Sequence, residues 1–268
     1  RNTFGLSTQK VFEPPFYREY FELTELDLYD RLLGSATMDA SVYSQLLDEA
    51  ADKLMELKAK IERRYELQCS QVLETGIVTV EHGTNIDFKR KTASIVDNSA
   101  STWTGANDPF VQLNAGCNFV RQKGKSQGYV YNAIMGSTAL TAFFNNTFVK
   151  DTADFRRIDH LSINMPQRNS IGATPHGQVA AGDYAVNIWS YPEFYDNSSG
   201  VSTPYLNPKK VILLPENPRF SMSFAAVPQL ITEQPTIVRS AYHVGRYIDE
   251  RKTSDVMDIK SAGLAIPV

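Results

Sequence analysis

Between residues 41 and 75, apolar side chains return with a helical period. Leu47, Leu54 and Ile61 lie seven positions apart, and Ala50, Ala51, Leu57 and Tyr65 fill an adjoining stripe. The positions between them are charged. Glu49 with Lys53, and Glu56 with Lys60, stand four apart in the favourable acid-first order. Asp39 or Ser41 is placed to cap the first turn, and Gly76 to take the left-handed conformation just past the last. No proline interrupts the run. The pattern predicts one helix over 41–75, about 50 Å long at 1.5 Å per residue.

No other stretch has so clear a period. Residues 1–38 hold Pro14 and Pro15 and an aromatic–acidic alternation with no single buried face, which predicts an arm or hairpin covered by a neighbour. "GIVTVEHGTNIDFKR" (76–90) predicts a strand pair turning at His82–Asn85, and the polar run 92–110 a loop-rich crossing and a domain boundary. "GYVYNAIMGSTALTAFFNNTFV" predicts a strand, a turn at Gly136 and a helix capped by Ser137. "GDYAVNIWSYPEFY" and "KKVILLPE" predict strands, the second apolar enough to be central and bounded by Pro208 and Pro215. The tail from Thr236 adds two strand-like runs. The fold class that results is α+β with one dominant helix.

Composition narrows the function. With 268 residues the chain can bury a real core in one large or two modest domains. A net charge of −3 does not suggest a dedicated nucleic-acid binder. No apolar run reaches the roughly 18 residues of a membrane span. "RNTFGLSTQK" has neither a signal core nor an initiating Met, so the chain is expected to start at a trimmed, processed or internal point. Cys69 and Cys117 are far apart and outside any CxxC pair, which favours free thiols over a disulfide framework.

Catalytic patterns are sparse. His82, His160, His176 and His243 show no HxxxH or HExxH spacing, so neither a metal site nor a cofactor is expected. "IMGSTAL" lacks the second glycine of a nucleophile elbow, and "RQKGKSQG" (121–128) lacks the lysine spacing of a phosphate loop and reads as a solvated turn. Cys117 has no neighbour in sequence that would activate a thiol. Two alternatives stay open: a hydrolase using Cys117 or an Asp/Glu pair, and a coiled-coil adaptor built on helix 41–75. Against the adaptor, the apolar stripe exceeds a strict a/d seam and Gln68 breaks the series that begins at Leu47.

Several segments, in order, carry a resemblance. They are "ERRYELQCSQVLETGIVTV", "DPFVQL" five residues after Trp103, "NAIMGSTALTAFFNN", "VNIWSYPEFYDNSSG" with "TPYLNPKKVILLPE", and the closing "IKSAGLAIPV". Together they resemble the lambda-type major capsid protein E family of tailed bacteriophages and prophages. Gln112 stands where that family commonly has Asp, and Gly263 and Ala265 replace two prolines of its terminal S-A-P-L-P-V-P run. The absence of those prolines implies a less rigid terminus than the family pattern.

The resemblance implies a Hong Kong 97 phage-type capsid fold. Residues 1–38 would form an N-terminal arm and extended loop, and 39–104 a peripheral domain with spine helix 41–75. Residues 105–235 would form an axial domain, and 236–268 would return to the peripheral domain. It implies a non-enzymatic shell protein of the virion capsid, assembled in the bacterial host cytoplasm into hexamers and pentamers of an icosahedral shell. Its partners would be other copies of itself, packaged double-stranded DNA through weak non-specific contact, and scaffolding, decoration and portal proteins. In the loop, Arg18, Glu19, Glu22, Glu25, Asp27, Asp30 and Arg31 are candidates to contact neighbouring helices, whose exposed faces would carry Lys53, Lys58, Lys60, Arg63 and Arg64. Residues 17–38 contain no lysine, so no lysine–asparagine staple from this loop is expected.

Overall fold

A computed structural model describes residues 13–23, 40–80, 85–104, 107–154, 161–163, 172–231, 234–249 and 254–267. In chain order, β1 (Phe16–Leu23) precedes α1 (Ala40–Glu74), β2 (Ile77–Val78) and β3 (Ile86–Asp87). Then come α2 (Pro109–Gly124), β4 (Val130–Met135), α3 (Ser137–Asn145) and α4 (Thr147–Asp154). The strands β5 (Leu161–Ile163), β6 (Thr174–Ala181), β7 (Tyr184–Ser190), β8 (Phe194–Asp196), β9 (Ser202–Pro204) and β10 (Val211–Pro215) follow. The chain closes with β11 (Phe220–Phe224), β12 (Val227–Ile231), β13 (Gln234–Val238), β14 (His243–Asp249) and β15 (Ser254–Pro267). The α+β expectation holds. Two compact units divide the chain, the first comprising residues 1–68, 79–86 and 221–266, the second 69–78, 87–220 and 267–268.

In the first unit, β15 is the middle of a four-stranded sheet, with β1 antiparallel on one side and β14 and β11 on the other. The α1 stripe predicted from the sequence supplies the helical layer. Ala50, Leu57, Ile61 and Tyr65 are buried, while Ala51, assigned to the same stripe, is exposed. Leu57, Ile61 and Tyr65 pack with Ile259 of β15, flanked by Tyr17, Phe21, Met222 and Tyr242.

Gln68 falls seven residues after Ile61, in phase with the apolar series, and is 1% exposed. Its amide is fully engaged. Nε2 donates to Tyr17 Oη at 2.8 Å and to Gly263 O at 3.4 Å, while Oε1 accepts from the Ala265 N–H at 3.3 Å. Tyr65 Oη and Ser261 Oγ lie 2.5 Å apart, and Ser261 Oγ donates on to Ala241 O. Burial pushes the Tyr65 phenol up to about 12.

These contacts explain both missing prolines. A Cβ added at Gly263 would sit 2.8 Å from the Tyr65 ring, and proline at 265 would remove the N–H that Gln68 accepts. The expectation of a loosened terminus is corrected: Ser261–Ala265 is a buried stretch of strand. The expectation of an uncovered loop is likewise corrected for residues 17–23, which form β1 and pair with β15 of the same chain from Phe16↔Ala262 to Leu23↔Asp255. Residues 24–38 lie outside the described ones.

At the C-terminus of α1, Gly76 has φ +75° and its N–H donates to Val72 O at 3.0 Å, closing the helix as its sequence position predicts. This last turn belongs to the second unit. There Glu74 accepts from the Asn207 N–H at 2.5 Å and from Lys210 Nζ at 3.1 Å, and Ser70 Oγ donates to Tyr205 O. His82 and most of its predicted turn fall on residues 81–84, outside the described ones.

The second unit is built on a mixed sheet in the order β10-β4-β7-β6-β5, parallel only between β4 and β7. Helices α2, α3 and α4 contribute Leu113, Cys117, Phe143 and Val149 to a core with Tyr131, Ala133, Met135, Val179, Val186 and Ile188. Three expectations change here. Residues 109–124 are a helix, capped by Asp108, which accepts from the Phe110 N–H at 2.8 Å, with Pro109 in its first turn. Arg121 and Lys123 therefore sit in its last turn, and only Lys125, at φ 51°, leaves it.

The apolar β10 is an edge strand, not a central one. Its Val211 and Leu213 pack into the core, and a Cβ at Gly116 of α2 would lie 2.9 Å from Leu213. Coverage by a helix, rather than by a second strand, accounts for its hydrophobicity. Ser137 does not cap α3. The cap position is Gly136, without a side-chain bond, and Pro208 O receives the Ala139 N–H at 3.0 Å. A Cβ at Gly136 would lie 2.5 Å from that same carbonyl, so glycine is what lets the 207–208 backbone serve as the cap.

The buried amide makes a direct prediction. Ala265→Pro leaves Gln68 Oε1 without its donor and should cost about 1–3 kcal/mol in denaturant or thermal unfolding. Adding Gln68→Leu should recover part of that loss, because an apolar side chain needs no donor; strictly additive effects would contradict the pairing.

Candidate functional site

The sequence places the candidate contact residues on two elements of the first unit, β1 and the outward flank of α1. Arg18 Nε reaches Asp258 Oδ2 of β15 at 2.8 Å, and Lys260 Nζ reaches the same oxygen at 3.1 Å. The Asp258 side chain is fully buried, so two cations hold a charge that would be costly alone. Arg18 also lies 5.7 Å from the Tyr20 ring. Glu19 and Glu22 are half-buried on the same strand. Glu25, Asp27, Asp30 and Arg31 fall outside the described residues.

Along α1, Lys53 Nζ is 3.4 Å from Glu56 and Lys58 Nζ 3.5 Å from Glu62, pairs different from those the sequence spacing picks out. Lys58 also lies over the Tyr242 ring at 5.4 Å. Arg64 is turned toward its own chain, with Nε 3.4 Å from Tyr17 Oη and the guanidinium 5.9 Å from that ring. Lys60 and Arg63 are exposed. The structure therefore divides the candidates: Arg18 ties β1 to β15 and Arg64 reaches Tyr17 of β1 within the chain, whereas Lys53, Lys58, Lys60 and Arg63 lie on the exposed flank of α1. Exposed pairs of this kind are worth about 0–1 kcal/mol each.

Sequence reasoning missed Asp258 and Lys260, which stand two residues apart in "DIKS" and therefore share one face of a strand. Only the pairing of that strand with Arg18 reveals their role. It also missed His176 and Ser190 in the second unit. The β6–β7 register slips between Pro175 and Gly177, and His176 Nε2 lies 2.8 Å from Ser190 Oγ. Burial holds the His176 imidazole below its usual range.

A groove of about 250 Å³ opens beside this pair, lined mainly by Ile134, Ala173, Trp189, Tyr191 and Leu214. Asn132, also in its lining, takes hydrogen bonds from Trp189 Nε1 at 3.2 Å and Asn187 Nδ2 at 3.1 Å. The cross-strand amides thus serve one another. Cys117, the nucleophile of the hydrolase alternative, is on α2 in the core and fully buried, and desolvation pushes its thiol up to about 11. Among the described residues no cluster of His, Cys, Asp and Glu could hold a metal ion, and no helix is long and apolar enough to cross a membrane.

The thiols provide a check on this environment. A raised pKa leaves Cys117 protonated until far above neutrality, so at pH 8 a thiol reagent should modify exposed Cys69 and spare Cys117 until the chain is denatured. Rapid native labelling of Cys117 would contradict a buried, inert thiol.

The model of the family described as phage major capsid protein E matches residues 5–267. Among solved structures, one assigned as a capsid protein of an Escherichia coli CFT073 prophage superposes with a TM-score of 0.66 at 13% identity. That match covers 95% of this chain and 74% of the other. A phage-related protein from Bordetella bronchiseptica RB50 matches at a TM-score of 0.45 and 10% identity, covering 96% of this chain and 72% of its own. No curated protein sequence matches the chain. The low identities make the first superposition evidence of shared fold, while the family model spans almost every residue. The chain therefore belongs to the phage major capsid protein E family, a structural, non-enzymatic family of phage and prophage capsids.

Proposed function

We propose that this chain is the shell subunit of a phage or prophage head. It assembles with other copies of itself into hexamers and pentamers of an icosahedral shell around double-stranded DNA. The observation that carries the reading is the family match across residues 5–267. In this reading the fold is of the Hong Kong 97 phage type: residues 1–38 act as the N-terminal arm and extended loop, 39–104 with the spine α1 and the returning 236–268 as the peripheral domain, and 105–235 as the axial domain. The virion capsid is its location, after assembly in the bacterial cytoplasm. Scaffolding, decoration and portal proteins are its further partners.

The charge pattern supports contact between copies. From Glu13 to Asp39 the sequence carries Glu13, Glu19, Glu22, Glu25, Asp27, Asp30 and Asp39 against only Arg18 and Arg31. The outward flank of α1 offers Lys53, Lys58, Lys60 and Arg63. Acidic loops of one copy meeting the basic flank of the next would select partner and register, through pairs that are individually weak and collectively strong. The small net negative charge suits a container, because a strongly basic lining would grip the packaged phosphates.

Reversing the exposed pair, Lys60→Glu with Arg63→Glu, should raise the protein concentration needed for assembly about tenfold, equal to about 1.4 kcal/mol. Sedimentation velocity reads the large species directly. Adding Glu25→Lys and Asp27→Lys to the same chain should restore part of the loss. Reversed protein that assembles like the parent would sink the charge contact, and a parent that stays monomeric under all assembly conditions would sink the shell reading.

A further inference from the structure

The helices of the second unit cover one face of its sheet, where Tyr131, Ala133, Met135, Val186 and Ile188 join the core. The alternate residues stand on the other face. There Gln178 of β6, Asn187 of β7, Asn132 of β4 and Leu214 of β10 lie side by side in register. Two residues further along, Ile134 and Trp189 are register partners. The indole fixes the direction of the polar row. An indole N–H can only donate, so the Asn132 atom that meets Trp189 Nε1 at 3.2 Å is Oδ1. The same oxygen accepts from Asn187 Nδ2 at 3.1 Å, which leaves Asn187 Oδ1 to accept from Gln178 Nε2 at 3.0 Å.

Every amide of the row thus donates toward β4, and the row ends at Asn132 Nδ2, which has no partner among the described residues. An oxygen that accepts twice polarises its own amide, so this NH2 is a stronger donor than that of an isolated asparagine. Asn132 and Leu214 line the groove of about 250 Å³, whose other walls include Ile134, Ala173, Trp189 and Tyr191. None of the described lining residues is charged. The space exceeds the roughly 150 Å³ of a protein cavity that holds benzene, so it takes one ring with a substituent. Beside Ala173, a Cβ added to Gly172 would lie 2.9 Å from Glu193 Oε1. A carboxylate therefore stands next to the groove and disfavours an anion in it.

We infer that this groove binds a small neutral ring compound bearing a carbonyl oxygen. The ring lies against Trp189 and Tyr191, and the oxygen accepts from Asn132 Nδ2. An apolar pocket with one polar group aimed into it is the common form of a small-molecule site. A wholly apolar occupant would cover the NH2 without replacing the water it gives up, at a cost in free energy. An anionic one would meet Glu193 and no cation in the lining. The site lies entirely within the second unit and does not depend on the shell reading.

Acetophenone and ethylbenzene test it, since they share size and shape and differ in the carbonyl. Saturation-transfer NMR on the full chain measures the dissociation constant of each. The informative variant is Asn132→Asp, which keeps an acceptor for Trp189 and Asn187 and puts an oxygen where the free NH2 stands. It should weaken acetophenone about 3–10-fold, the worth of one hydrogen bond, and change ethylbenzene little. Ala173→Phe fills the groove with a ring of the chain's own and should abolish binding of both probes. It locates the site without touching the polar row. Thermal unfolding of each variant shows that it is folded. No binding of acetophenone to the parent chain would overturn the inference. So would equal losses of the two probes in folded Asn132→Asp, or binding that survives Ala173→Phe. Binding that vanishes as copies associate would assign the groove to a second copy and overturn it as well.

Discussion

The first unit depends on how a long helix is fixed against one strand when its buried face ends in polar groups. Apolar packing by Leu57, Ile61 and Tyr65 is directionless and would tolerate a helix that slides or rotates. Gln68 and Tyr65 remove that freedom. The amide reads a carbonyl and an N–H two residues apart on β15, at Gly263 and Ala265, and the phenol reads Ser261 between the same layers. A one-residue slip would leave a buried amide unsatisfied, at a cost of about 1–3 kcal/mol for each lost partner. The register of helix on strand is therefore set by hydrogen bonds and its strength by burial.

That constraint fits a subunit whose work is contact. Holding the inner face of α1 leaves the opposite flank to carry charge, since neither packing nor the polar lock uses it. The second unit shows the same economy of roles. Its sheet packs one face on helices and borrows a backbone carbonyl, Pro208 O, as a helix cap, while the thiol of Cys117 in its core is inert.

Much of α1 is legible in the sequence because period, capping glycine and length all agree on one element. The buried face is legible too, except at Gln68. A polar residue in an apolar series looks like a break until the partners that satisfy it, far away at Tyr17 and β15, are known. Long-range pairing is the general blind spot. Residues 16–23 look uncovered in the sequence because the strand that covers them comes at the other end of the chain. β10 looks central because hydrophobicity reports burial and does not distinguish a helix from a strand as the cover. Helix α2 leaves a readable signal, Asp108 followed by Pro109, obscured by its polar neighbours. The Asp258 site leaves almost none.

If this chain builds closed shells from copies of itself, electron microscopy of the purified protein under assembly conditions shows it most directly. The shell reading predicts closed particles of uniform diameter with hexameric and pentameric capsomers on their surface. Protein that remains monomeric, or that forms only open fibres or amorphous aggregate, would contradict it.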